Sequence, residues 1–169
     1  MLRCSMLLQL RPLFMGEITS LPIDTKLDFS KEELNGGYPF STPVHVKGAV
    51  SVSADVVLLQ VDVSFSFHGQ CDRCLRTFEK AYQLSFEHVL VDSLNNDEND
   101  DFILLEQYQL DLAELVMTDM LLELPYKSLC KEDCRGLCPT CGKDLNDGLC
   151  GCKPDNTDPR LEVLKQLLQ

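Results

Sequence analysis

Six of the nine cysteines in this chain fall within the 23 residues 130–152, CKEDCRGLCPTCGKDLNDGLCGC. Thiolates are soft ligands, and four of them around one ion satisfy zinc's tetrahedral preference with no position left open for water. Cys138-Pro-Thr-Cys141-Gly142 has the form of a zinc knuckle. Two intervening residues let both sulfurs face one ion, and glycine permits the tight turn that aims backbone N–H groups at them. Cys150-Gly-Cys152 offers a second pair, with Gly151 relieving strain in so short a chelate. A metal site made of Cys138, Cys141, Cys150 and Cys152 is therefore expected, with zinc as the cofactor. It is a closed, structural site rather than a catalytic one. So short a segment has no core of its own and depends on the metal for order, since zinc binding by such peptides contributes ~10–16 kcal/mol.

Cys71-Asp-Arg-Cys74 follows strand-like sequence, and Cys130 and Cys134 open the tail. If these four meet in space they make a second Cys₄ site that clamps the tail to the preceding domain. A competing partition joins Cys130, Cys134, Cys138 and Cys141 and leaves Cys150 and Cys152 spare. A third reading leaves Cys71 and Cys74 as unligated thiols, and Cys4, with no neighbour, as a free one. The CxxC and CxC spacings suit metal in a reducing compartment better than disulfides, which places the protein in the cytoplasm. The opening MLRCSMLLQLRPLFMG resembles a signal peptide only superficially, because Gln9, Arg11 and Pro12 interrupt its apolar run. It reads as the first folded segment.

A redox CxxC sits at a strand-to-helix junction, whereas Cys71–Cys74 leads into further extended sequence. An iron–sulfur cluster also takes four thiolates, but the CPxCG form favours zinc. His45, His68 and His88 lie singly in strand-like segments, and no P-loop, GxSxG or HExxH is present. The protein is accordingly expected not to be an enzyme, and no small-molecule substrate is expected.

The elements that must position these cysteines are legible from periodicity. DFSKEELNGG (28–37) predicts a short helical turn capped by Ser30, with Glu33 at the capping-box position. Apolar residues then alternate from Val44 through Val52, and again through VDVSFSF at 61–67. A turn is expected at Ser53-Ala54-Asp55. A third run places Phe78, Tyr82, Leu84 and Phe86 on one face. The expected fold class is α+β: an antiparallel, curled or barrel-like sheet of about five strands, with one amphipathic helix packed on it. That helix spans 112–124, is capped by Asp111, carries the stripe Ala113, Val116, Met117, Met120, Leu121 and Leu124, and ends at Pro125. A zinc-ribbon-like tail follows. Asp158 and Pro159 start a terminal helix with Leu161, Leu164, Leu167 and Leu168 as its stripe. The domains expected are 1–126, an α+β core with a mobile acidic loop at 92–101, and 127–169, the cysteine-rich tail.

Net charge is −12, and residues 92–126 hold 10 acidic groups with no Lys or Arg. Phosphate neutralisation needs clustered cations, so the composition favours a basic protein partner over nucleic acid. Two small patches remain for RNA contact: Arg73, Arg76 and Lys80, or Lys127, Lys131 and Arg135.

CDRCL (71–75), the helix opened by LDL and closed by LP, CRGLCPTCGKDLN (134–146), CGC and DPRLEVLKQLL together resemble the YceD family, the large ribosomal RNA subunit accumulation proteins. The resemblance runs from Met6 to Leu168. It implies a role in the synthesis, processing or stability of 23S rRNA and in large-subunit assembly, and it supplies no catalytic residues. With the acidic charge, it points to a basic ribosomal protein or assembly factor of the large subunit as partner, with 23S rRNA contact as the other route and no membrane. The alternatives are a thiol redox or iron–sulfur protein, and a zinc-stabilised adaptor unrelated to ribosomes.

Overall fold

The computed structural model describes residues 5–34, 36–54, 56–93 and 102–152. In chain order its elements are β1 (Leu7–Gln9), α1 (Arg11–Phe14), β2 (Ser20–Leu27), β3 (Val44–Ser53), β4 (Val56–Gln70), β5 (Thr77–Val91), β6 (Phe102–Leu104), β7 (Gln109–Asp111) and α2 (Leu112–Glu123). The fold is α+β, with more of the described residues in strands than in helices and one main helix. The expected terminal helix from Asp158, Cys4 and residues 94–101 of the acidic stretch lie outside the described residues.

Alternation in the sequence becomes alternation in burial. On β4, Val57, Leu59, Val61, Val63, Phe65 and Phe67 are buried, while Gln60, Asp62 and Ser64 face solvent. The outer residues pair across the strands: the Gln60 amide donates to Glu87 at 2.7 Å and the Ser85 hydroxyl to Asp62 at 2.6 Å. β2 to β6 form one sheet in sequence order, and β1 pairs with β7 apart from it. The junctions from β2 to β5 are antiparallel, with the turn between β3 and β4 falling after Ser53 as expected. β6, however, runs parallel to β5, against the expectation of an antiparallel sheet. Three residues carry too little pattern to fix a direction. Among the described residues the end strands β2 and β6 do not pair with each other, so these five strands form no closed barrel.

β4 and β5 make a hairpin of 15-residue strands, in register from Val57–Leu90 to Gln70–Thr77. At a strand rise of ~3.3 Å per residue it is about 50 Å long, enough to carry its closing loop well past α2. That loop is Cys71 to Arg76.

α2 closes the other end of the inner sheet face. Its buried side is Leu112, Ala113, Val116 and Met120, while Leu121, expected in the stripe, is exposed. Asp119 is buried in that interface and meets His88 Nε2 of β5 at 2.8 Å. This pair satisfies two polar groups within an otherwise apolar contact. Asp111 Oδ1 accepts from the backbone N–H of Ala113, Glu114 and Met6, so one carboxylate caps the helix and ties it to the N-terminal segment. Asp111→Ala should therefore lower stability by about 1–2 kcal/mol in urea unfolding, the upper part of the range for a lost cap. A loss below ~0.5 kcal/mol would show that water replaces the carboxylate at little cost. Leu10 and Leu13 are buried in the same core, so the opening segment is folded into the domain. No helix among the described residues is long and apolar enough to cross a membrane.

No helix forms among the described residues of 28–37. Asp28, not Ser30, accepts the local bond, from the Ser30 N–H at 3.0 Å, and Leu34 bridges back to Gly37. Burial of Phe29 against the core sets the chain path there, overriding the local capping pattern.

Candidate metal centre

The hairpin loop and the tail contain the same local structure twice. In the loop, the Cys71 N–H donates to the Arg76 carbonyl at 2.8 Å and the Leu75 N–H to the Cys71 carbonyl at 2.9 Å. In the tail, the Cys138 N–H donates to the Lys143 carbonyl at 2.8 Å and the Gly142 N–H to the Cys138 carbonyl at 2.9 Å. The residue after the second cysteine is left-handed in both, Leu75 with φ +59° and Gly142 with φ +71°. Each loop is thus a CxxC knuckle with both sulfurs turned to one side.

The structure gathers eight of these cysteines into two groups of four. The Sγ atoms of Cys71, Cys74, Cys130 and Cys134 all lie within 4.8 Å of one another, and so do those of Cys138, Cys141, Cys150 and Cys152. Cys130 and Cys134 thus stand with the hairpin loop, not with Cys138 and Cys141 as the competing partition has it. Across the first group, Cys71 Sγ is 3.8 Å from Cys134 Sγ and Cys74 Sγ is 3.6 Å from Cys130 Sγ. Tetrahedral zinc with ~2.3 Å bonds to sulfur sets the sulfurs about 3.8 Å apart. The first group is almost wholly buried, whereas Cys141 of the second is exposed.

Four thiols this close cannot all ionise without a cation between them. Burial pushes the Cys71 thiol up, but the backbone N–H groups of Cys130, Cys74 and Arg73 outweigh this and bring it to about 6. The N–H groups of Cys141 and Thr140 likewise bring Cys138 to about 6. Burial and then the neighbouring sulfurs push Cys130 up to about 12. The Cys141 sulfur and then burial push Cys152 to about 12. Each group therefore holds a ready thiolate beside a thiol that ionises only when a cation arrives. Metal binding displaces protons, and affinity rises with pH. Soft donors, sulfur spacing and N–H groups aimed at the thiolates all fit a metal ion in each cluster.

A layer of polar contacts locks the two knuckles together. The Asp72 N–H donates to the Ser128 carbonyl at 2.8 Å, and the Ser128 N–H returns to Asp72 Oδ2 at 2.7 Å. Arg73 Nη1 donates to the Cys134 carbonyl, and the Arg73 carbonyl accepts from the Leu137 N–H. The Asn146 amide donates to Cys134 Sγ at 3.4 Å while its oxygen accepts from the Arg135 N–H. Arg76 forms ion pairs with Asp144, at 2.6 Å without the alignment of a hydrogen bond, and with Asp147. Arg73 and Arg76, which the sequence offered as part of an RNA patch, thus have structural partners within the chain. The roles of Asp72, Asn146 and Ser128 carried no signal in the sequence beyond closeness to a cysteine. The three histidines each face a carboxylate, His45 to Asp24, His68 to Glu79 and His88 to Asp119, and none joins the sulfur clusters.

The profile of the family described as "Large ribosomal RNA subunit accumulation protein YceD" matches residues 59–168, which include all eight clustered cysteines. The uncharacterized protein YlbN of Bacillus subtilis is 30% identical over 143 residues, 81% of each chain. The uncharacterized protein Mb2951c of Mycobacterium bovis is 30% identical over 116 residues, which cover 66% of this chain and 56% of its own length. The match thus spans little more than half of that mycobacterial relative. No solved structure matches the chain.

Proposed function

This chain belongs to the YceD family, and on that premise we propose that it is a non-enzymatic, zinc-stabilised factor supporting 23S rRNA accumulation and large-subunit assembly. The observation that carries the metal half of this reading is the double four-sulfur cluster. A closed set of four thiolates leaves no site for substrate or water, so the metals fix structure. Thiol redox chemistry fits less well, because the sulfurs stand in fours and Cys71–Cys74 closes a β-hairpin instead of opening a helix. Purified protein is expected to carry about two zinc ions per chain, by elemental analysis, and to be colourless. Iron–sulfur absorbance, or less than half an equivalent of zinc, would reject the assignment.

The function is tested by depletion. The ratio of 23S to 16S rRNA should fall and recover with the wild-type gene, and an unchanged ratio rejects the role. The partner we favour is a basic ribosomal protein or assembly factor of the large subunit. It would be drawn to residues 92–126, whose 10 acidic groups are unrelieved by any Lys or Arg. Its capture from lysate should survive RNase treatment.

A further inference from the structure

The inner face of the long hairpin changes character along its length. Near α2 it is covered, but beyond the end of that helix it is a groove. The floor is aromatic, made of Phe67, Phe78 and Tyr82: Phe67 lies edge-on to Tyr82 at 6.4 Å and 6.3 Å from Phe78, and Tyr82 is backed by the buried Phe65, stacked on it at 5.3 Å. Phe78 and Tyr82 are only half-buried, so ring surface remains open. The far wall is the segment Pro125 to Glu132, which runs from α2 to Cys130 and is held by the first sulfur cluster and by Asp72. The enclosed volume is about 900 Å³.

Two features of this groove stand out among the described residues. Tyr126 is 99% exposed, a whole aromatic ring presented to solvent directly after the helix stop. Lys80, Lys127 and Lys131 all line the groove and are exposed; Glu132 is the one acid in the lining, and Lys131 Nζ also lies 3.8 Å from Asp133 Oδ1, an exposed pair that leaves the ammonium open to solvent. Lys80 lies 5.2 Å over the Tyr82 ring, on the inner face where β-alternation would otherwise place an apolar residue. In a chain of net charge −12, a cluster of lysines around exposed aromatic rings selects an anion with flat apolar faces. A basic protein would meet repulsion here.

We propose that this groove binds a short single-stranded RNA segment, with bases stacked on Tyr126 and the hairpin aromatics and phosphates against Lys80, Lys127 and Lys131. The proposal rests on the reading of the chain as an rRNA accumulation factor and names a direct contact for it. The net negative charge does not cancel the local one, because screening confines electrostatics to about 8 Å at physiological ionic strength. A-form duplex presents no open base faces, so single strands are preferred.

The test uses the full-length, zinc-loaded protein and fluorescence anisotropy with a short labelled oligouridylate and an RNA duplex of equal length. The single strand should bind more tightly than the duplex. Tyr126→Ala should weaken it about tenfold, as loss of one stacking platform does. Lys127→Gln with Lys131→Gln should reduce the slope of log affinity against log salt by about 1.4, at ~0.7 per phosphate contact on single strands. Unchanged zinc content in each variant shows that the wall still stands. Absence of binding, equal binding to duplex, or binding indifferent to these variants overturns the groove, as does displacement of the RNA by an acidic peptide but not by unlabelled single strand. Depletion separates the two readings. A fall in 23S rRNA with no oligonucleotide binding rejects the groove alone, and specific binding with an unchanged 23S level rejects the cellular role alone.

Discussion

Replacing Cys71 and Cys74 together with serine is expected to lower bound metal from two equivalents to one and the unfolding midpoint by ~10 °C or more. Replacing Cys150 and Cys152 should also remove one equivalent, but leave the main transition within about 3 °C. The asymmetry follows from what each cluster joins. The first holds the tip of the β4–β5 hairpin to residues 130–134, with Cys71, Cys74 and Cys134 buried among Phe78, Leu129 and Leu137. Losing its metal leaves buried thiols without a counter-charge and frees the wall of the groove from the sheet. The second cluster folds the tail on itself between residues 138 and 152, and none of its four sulfurs comes from the hairpin, which that stretch meets only through polar contacts such as those of Arg76 with Asp144 and Asp147. Elemental analysis and thermal unfolding read the two effects separately. If the serine pair at 150 and 152 removes no metal, or if both pairs unfold the protein equally, the division into a clasp and a local fold is wrong.

Much of this arrangement was legible because cysteine and strand alternation are both strong local signals. The spacing within CPTCG, CGC and CDRC identified the pairs but left open whether Cys130 and Cys134 join Cys71 and Cys74 or Cys138 and Cys141, because that depends on contacts distant in sequence. The alternation in VDVSFSF set the buried face of β4, and Asp111 with Pro125 bounded α2 within one residue. The failures share a cause, which is that tertiary burial outranks local preference. Ser30 and Glu33 suited a capping box, yet Phe29 had to reach the core, and the segment became a turn. Leu121 fitted the helical stripe, but α2 ends beside the open groove, where none of the described residues covers that side. The direction of β6 is not encoded by any residue within Phe102–Leu104, which is too short to carry a pattern. Lys80 is the subtler case. Its charge read as ordinary surface, and only the register with β4 shows that it sits on the aromatic face.

Gly136→Ala should destabilise the protein by about 2–3 kcal/mol and weaken metal binding at the first cluster by about tenfold. Gly136 has φ +72°, where an L side chain is strained by roughly 1–2 kcal/mol. Its place in the fold adds a second penalty, since a Cβ here would lie 2.9 Å from the Arg73 carbonyl oxygen, so backbone must shift. That carbonyl accepts from the Leu137 N–H at 3.1 Å, and this bond docks the tail on the hairpin loop. The Gly136 N–H itself joins the Asn146 amide in holding the Cys134 thiol down, so displacement reaches the metal ligand directly. Gly142 supplies the control. It has nearly the same φ, +71°, but an added Cβ meets nothing within 4 Å, so Gly142→Ala should lose only the strain, about 1 kcal/mol. Leu75 already shows that a side chain is tolerated at the position equivalent to Gly142, with φ +59° in the other knuckle. Left-handed backbone alone is therefore bearable in this structure, and the crowding between Gly136 and Arg73 is what forbids the methyl group. Urea unfolding and competition for zinc with a chromogenic chelator measure the two effects. Equal losses for the two alanine variants would mean that strain alone decides, and that the loop and tail are not packed against each other as closely as the Arg73 contact requires.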